Sequence, residues 1–166
     1  MNPQLLSPVW DKKVQSLYRA VIKYMNQNGL FQWDKDYPSP RTLSHDILQG
    51  DLYGIVHQDR VIAAISLNID QDKNYANLPW EITEGTQLVV HRLAVHPQFL
   101  GQGLGQELMA FAEDMAKNEG HSAIRLDTFT ENPHALALYD RLGYRRVSEM
   151  SLDYREGVFM AFEKAV

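Results

Sequence analysis

Cysteine is absent from this chain of 166 residues, which excludes disulfides, thiolate metal sites and a cysteine acyl-enzyme. No stretch approaches the roughly 18 apolar residues of a membrane span, and Met1 to Lys13 lacks the apolar core of a secretory signal. A cytoplasmic protein with no membrane partner is the expectation. Basic charge is in short supply: 16 Lys and Arg stand against 21 Asp and Glu, a formal net charge of −5. That argues against a nucleic-acid partner, which calls for a basic face. His45, His57, His96, His121 and His134 share no ligand spacing and no H-E-x-x-H occurs, so no metal is expected. No Gly-Lys pair exists for a Walker phosphate loop. Gly120-His121-Ser122 lacks the last glycine of a nucleophile elbow, and its serine precedes a predicted strand, which argues against a serine hydrolase. No repeat, low-complexity segment or linker divides the sequence, and 45% hydrophobic residues suffice for a real core. A single domain over residues 1–166 is expected.

What is present is concentrated in residues 88 to 105, where the apolar run Leu88-Val89-Val90-His91-Arg92-Leu93-Ala94-Val95 leads into a turn with glycine at 101, 103 and 105. Gly101, Gly103 and Gly105 let the backbone take positive φ and approach a ligand closely. Leu104, Leu108, Phe111, Ala112 and Met115 then fall on one face of a helix that Gly120 stops. The free N–H groups at the mouth of such a helix suit a phosphate or pyrophosphate, although a tight strand-to-helix connection that binds nothing has the same spacing. A dinucleotide fingerprint is ruled out, because it would need glycine where Gln106 or Leu108 stands. Asp127 lies where a Rossmann ribose acid would, but too little chain follows it for the second half of that fold.

Periodicity predicts a helix over Asp11 to Asn28 and a second helix opened by Ser39-Pro40 and ended by Gly50. A hairpin of Leu52 to His57 and Val61 to Asn68 follows, then the long strand Gln87 to Val95. After the central helix come a strand Ala123 to Thr128, a helix Pro133 to Leu142, and closing strands near Tyr144 to Ser151 and Gly157 to Lys164. The connection from Asp70 to Thr86, with Trp80, Glu81 and Glu84, is long for neighbouring strands. It reads either as the border of an acceptor site or as a solvated loop.

The strand, glycine turn and helix, joined to Asn132-Pro133-His134-Ala135-Leu136-Ala137-Leu138-Tyr139-Asp140-Arg141-Leu142-Gly143-Tyr144, resemble the GNAT superfamily of acyl-CoA-dependent N-acyltransferases, most strongly over residues 86–144. The resemblance implies an α/β (α+β) GNAT fold, with a mixed central sheet of about six to seven strands, splayed in the middle, and about four flanking helices. It implies acetyl-CoA (coenzyme A) as cofactor and transfer of its acetyl group to a primary amine by direct attack in a ternary complex. The acceptor would be a small molecule or a peptide, and a homodimer would be ordinary. The family's phosphate signature, Arg or Gln, two residues, Gly, one residue, Gly or Ala, lands on Leu100, Gly103 and Gly105. Leu100 departs from it, so pyrophosphate binding is expected from main-chain N–H groups across Leu100, Gly101, Gln102, Gly103, Leu104, Gly105 and Gln106. Backbone groups of Leu93, Ala94 and Val95 would take the pantetheine arm and the thioester carbonyl.

Such a transfer needs a neutral amine, a donor to the oxyanion and a proton for the departing thiolate. The resemblance makes Tyr139 the acid, since a phenol donates without being ionised at neutral pH. Periodicity equally allows Tyr139 to be core, in a stripe with Ala135, Leu138 and Leu142. Asn132 is an N-cap candidate before Pro133 and, by resemblance, a cofactor hydrogen-bonder. For the base, His91 matches a position where some family members carry histidine, with Glu84 or a water relay as rivals. Alternation places Val89, His91, Leu93 and Val95 on one face, and if that face is core, His91 is only a buried histidine. Phe31, Gln32, Trp33 and Tyr37 sit where the family often builds its acceptor pocket, or else simply pack under a loop. The departure at Leu100 and the open choice of base leave an alternative: a catalytically silent acyl-CoA-binding sensor or interaction module.

Overall fold

A computed structural model describes all 166 residues. Seven strands, β1 (Gln4–Leu5), β2 (Leu52–His57), β3 (Arg60–Asn68), β4 (Gln87–Val95), β5 (Ala123–Phe129), β6 (Arg145–Leu152) and β7 (Arg155–Ala165), form one mixed sheet in the order β1-β2-β3-β4-β5-β7-β6. Four helices accompany them: α1 (Asp11–Gln27), α2 (Pro40–Gln49), α3 (Leu104–Asn118) and α4 (Pro133–Arg141). The chain forms two compact units, Met1–Leu67 with His91–Phe111 and Asn68–Val90 with Ala112–Val166. β4 and α3 each pass from one to the other.

In the first unit, Val14, Leu17, Tyr18 and Val21 of α1 are buried in one cluster with Leu43 and Ile47 of α2 and Leu52, Val61 and Ala94 of the strands. Each such aliphatic side chain contributes about 1.5–3 kcal/mol when fully buried. α2 starts as its sequence demands: Ser39 Oγ accepts the Thr42 N–H at 3.2 Å, and Pro40 follows it. The β2–β3 hairpin turns on Gln58 and Asp59, whose φ values of 46° and 60° match the paired left-handed residues of a two-residue turn.

The expected alternation along β4 breaks at Arg92, which has φ 52°. A side chain rarely adopts that conformation unless its surroundings over-determine it, and here they do. Arg92 Nε donates to Asp46 Oδ2 at 2.7 Å, Nη2 to Oδ1 at 2.8 Å, and Nη1 to Tyr37 Oη at 3.0 Å. Tyr18 Oη donates to the Arg92 carbonyl at 2.5 Å. The period-two face predicted from Val89 to Val95 is therefore not continuous. Val89 is buried, whereas His91, Leu93 and Val95 are half-buried.

In the second unit, β5 pairs with β7 along its whole length and β7 with β6, both antiparallel. The parallel ladder between β4 and β5 covers only Gln87 to Val89 against Ala123 to Arg125. Residues between β3 and β4 are strapped down rather than loose. Trp80 Nε1 donates to the Tyr75 carbonyl at 2.8 Å, and the Arg125 guanidinium lies 4.2 Å from the Trp80 ring centroid. The Glu163 carboxylate, on β7, accepts the Glu81 and Ile82 N–H groups at 2.7 and 3.3 Å and pairs with Arg145. Burial acts to raise the Glu163 pKa, but Arg145 and the two amides outweigh it and hold the carboxyl below its usual range. A buried anion thus fastens this stretch to the sheet, although most of its side chains, Glu81 and Glu84 among them, stay exposed.

Candidate functional site

The glycine turn sits between a short 3-10 turn at Pro97–Phe99 and α3. Gly101 and Gly103 have φ 76° and 80°, as expected, but Gly105 does not, because it is already the second residue of α3. The helical hydrogen bonds begin with the Glu107 N–H on the Gly103 carbonyl at 2.9 Å. The amides of Leu104, Gly105 and Gln106 thus stand ahead of the helical ladder, where the dipole is positive. A Cβ built at Gly101 or Gly103 would meet no protein atom within 4 Å. Glycine is needed there for its backbone conformation, and the space before the turn is open. Gly101, Gln102 and Gly103 are exposed and Leu104 is buried, so the turn faces outward while its helix is anchored. Leu100 is 47% exposed and lends no polar group to the turn. Free amides at a helix mouth with open space beyond them fit a diphosphate.

Also in the first unit, Leu93, Ala94 and Val95 end β4 beyond the three residues laddered to β5. His91 lies between the laddered residues and the Arg92 kink and is half-buried.

The remaining predicted residues belong to the second unit. Asn132 caps α4, its Oδ1 accepting the Ala135 N–H at 3.1 Å. One turn later Tyr139 is 5% exposed, its ring packed on Phe162 and Tyr144 with centroids at 5.4 and 6.0 Å. Both readings of its position hold in part: the ring is core. Its hydroxyl is different. The other three buried tyrosines all donate: Tyr18 to the Arg92 carbonyl, Tyr75 to Asp127 at 2.6 Å, and Tyr144 to Glu113 at 3.2 Å. Tyr139 has no hydrogen-bond partner. The hydroxyl is not sealed off, since it is not among the enclosed unpaired polar atoms of the molecule, so it is open to water or to a ligand. Burial, followed by the nearby charge of Asp127, raises the Tyr139 pKa and keeps the phenol protonated.

Asp127 was not singled out for this chemistry by sequence. It projects from β5, half-buried, and its carboxyl is pushed up to about 6, chiefly by burial, with Tyr75 opposing and Asp72 adding to the rise. A carboxyl raised by burial to about 6, with Tyr75 as its hydrogen-bond donor, is a candidate for acid–base work. The signal in the sequence is an acidic residue between Leu126 and Thr128 in a strand whose other residues are mostly buried. Glu84 lies elsewhere. Its side chain is exposed, and its carbonyl accepts the Ser122 hydroxyl at 2.6 Å, just before β5 begins. At about 3.3 Å per strand residue, that is roughly 16 Å along β5 from Asp127.

The family model described as Acetyltransferase (GNAT) family matches residues 15–144. Mycothiol acetyltransferase of Clavibacter sepedonicus is 33% identical over 93 residues, 56% of this chain. That alignment spans only 30% of the relative's length. Among solved structures, an acetyltransferase of the GNAT family from Streptococcus agalactiae has a TM-score of 0.85 at 22% identity, covering 99% of this chain and 95% of that one. The PaiA N-acetyltransferase of Thermoplasma acidophilum, solved in complex with coenzyme A, has a TM-score of 0.73 at 18% identity, covering 99% of this chain and 98% of that one.

Proposed function

Because the chain belongs to the acetyltransferase (GNAT) family, we propose that it moves an acetyl group from acetyl-CoA to a primary amine by direct attack, without a covalent enzyme intermediate. The single observation that carries the proposal is the Tyr139 hydroxyl, set on a buried ring yet open and without a partner within the protein. A structural tyrosine would be satisfied, as the other three buried ones are; a proton donor to a departing thiolate would not be until its ligand arrives.

Bound acetyl-CoA supplies an activated acetyl thioester. The amides from Gly101 to Gln106 would hold its diphosphate; Leu100, expected to share in this, gives its N–H to the Pro97 carbonyl at 3.4 Å instead. Main-chain groups of Leu93, Ala94 and Val95 orient the pantetheine arm and donate to the thioester oxygen, a contact worth about 3 kcal/mol at comparable oxyanion sites. Asn132 adds a hydrogen bond to the cofactor from the start of α4. Tyr139 returns a proton to the sulfur. Asp127 is the base we favour for the amine, because its carboxyl is raised toward neutrality and its charge reaches Tyr139. His91 and Glu84 are the rival bases, one half-buried on β4 and the other exposed in the turn before it.

Release of free thiol from acetyl-CoA, followed across an amine panel, tests the reading, with calorimetry on CoA alongside. Amine-dependent release supports transfer. Binding of CoA with no release from any amine would favour the silent module, the reading that the bare side chain of Leu100 supports.

A further inference from the structure

An open cleft of about 440 Å³ lies between α1 and α2 in the first unit, within the size range of small-molecule sites. Its floor is apolar, made by Tyr18, Ile22, Pro38 and Leu43, and its polar wall carries Arg19, Lys23 and Lys35 without one carboxylate in the lining. None of the three cations makes a hydrogen bond or ion pair. Elsewhere six bases are ion-paired, Lys13 with Asp59, Lys73 with Asp153, Arg92 with Asp46, Arg145 with Glu163, Arg146 with Asp140 and Lys164 with Glu113, and what sets Arg19, Lys23 and Lys35 apart is that they gather around one cavity. In a chain with a formal net charge of −5, three unpaired cations around one cavity make a local positive field in an acidic molecule.

The cleft is also held in shape. Asn26 Nδ2 donates to the Leu30 and Trp33 carbonyls at 3.1 and 2.9 Å, fixing the turn that carries Lys35. The neighbouring Asp34 is occupied by the Asp36 and Tyr37 amides at 2.8 and 3.2 Å, and neither Asp34 nor Asp36 lines the cavity. Tyr18 ties the floor to β4 through the Arg92 carbonyl, one residue before Leu93.

We propose that this cleft binds the acidic group of the acceptor, so that the preferred substrate is a small amine that also carries a carboxylate or a phosphate. The guanidinium of Arg19 and the ammonium groups of Lys23 and Lys35 take the anion, and the aromatic and aliphatic floor takes the body of the molecule. The word acceptor rests on the acetyl-transfer reading; the anion site does not.

Two matched pairs of probes test it: L-tyrosine against tyramine, and O-phosphoethanolamine against ethanolamine. Calorimetry without acetyl-CoA reads binding, and thiol release with acetyl-CoA reads transfer. The acidic member of at least one pair is expected to bind about tenfold more tightly than its partner, the scale of one charge-assisted contact. Whichever pair shows the larger ratio names the anion. The double variant Arg19→Gln/Lys23→Gln changes exposed side chains only, and it should erase the preference while leaving the neutral members as they were. Equal binding within both pairs, failure of both acidic probes to bind at millimolar concentration, or a preference intact in the double variant would overturn the proposal. Anion preference without thiol release from any amine would sink the transfer reading and spare the cleft. Release with equal KM for acidic and neutral amines would do the reverse.

Discussion

Asp46 and Asp127 are carboxylates removed from water, one in each compact unit, and their surroundings are opposite. Asp46 is 3% exposed and is gripped by the Nε–Nη2 edge of the Arg92 guanidinium, with Tyr37 on the third nitrogen. Asp127 has one phenol donor, no cation, and a carboxyl raised to about 6. The first arrangement is closed. Every strong group in it has a partner within the protein, and its product is structural: a left-handed residue held in the middle of a central strand. The second is open: Asp127 has no counter-ion, and the Tyr139 hydroxyl, which feels its charge, has no partner within the protein. Paired buried charge marks a lock, whereas a polar group that no protein partner closes off stays available to a ligand.

The largest way to break that contrast is Asp46→Ala. It leaves the Arg92 guanidinium buried without its counter-ion, and urea unfolding should show a loss of about 3–5 kcal/mol. A loss below about 1 kcal/mol would mean the pair does not hold the kink. Next in size is Tyr139→Phe. Removal of an unpartnered hydroxyl should spare the fold and the affinity for CoA, yet lower kcat about a hundredfold with any amine that is turned over. Unchanged turnover would return Tyr139 to the core and nothing more.

Asp127→Asn sharpens the comparison through pH. The folded pKa of about 6 lies above the reference value of 3.8, so between these values the folded state binds more protons than the unfolded one. The contribution of this group to stability is therefore most favourable at low pH and declines as pH rises through that window. Asparagine does not titrate, so the variant's unfolding free energy should gain on the parent's between pH 4 and 6, by about 3 kcal/mol at neutrality, with a matching rise in relative melting temperature. The parent's transfer rate should rise over the same interval, as the carboxyl ionises. The smallest effect belongs to Gly103→Ala. At φ 80° a Cβ costs about 1–2 kcal/mol, and calorimetry should show CoA binding weakened about tenfold as the turn relaxes.

Much of the scaffold was legible because its signals are local. The bounds Gln87 to Val95 for β4 follow from a run of β-formers between polar stretches. Ser39-Pro40 and Gly50 frame α2, and the glycines at 101 and 103 announce a turn whose backbone no side chain would favour. What stayed hidden depends on partners far apart in the chain. Arg92 looked like one more alternating residue until Asp46, in another element, bent the strand around it. The stretch before β4 looked loose until Glu163 of β7 was found beneath it. Gly105 could have belonged to the turn or to the helix, and only the start of the hydrogen-bond ladder at Gly103 decides it. Tyr139 was visible as a position, but an unsatisfied hydroxyl is a property of the packed state and has no sequence signature.

Thiol release and melting temperature, measured on the same sample of Asp127→Asn at about pH 8, test the central claim most directly. The account predicts a protein at least as stable as its parent, with amine-dependent release of CoA lowered about a hundredfold. A variant that melts earlier and transfers acetyl groups at the parental rate would show that Asp127 is a structural carboxylate like Asp46, and the distinction drawn between the two would fail.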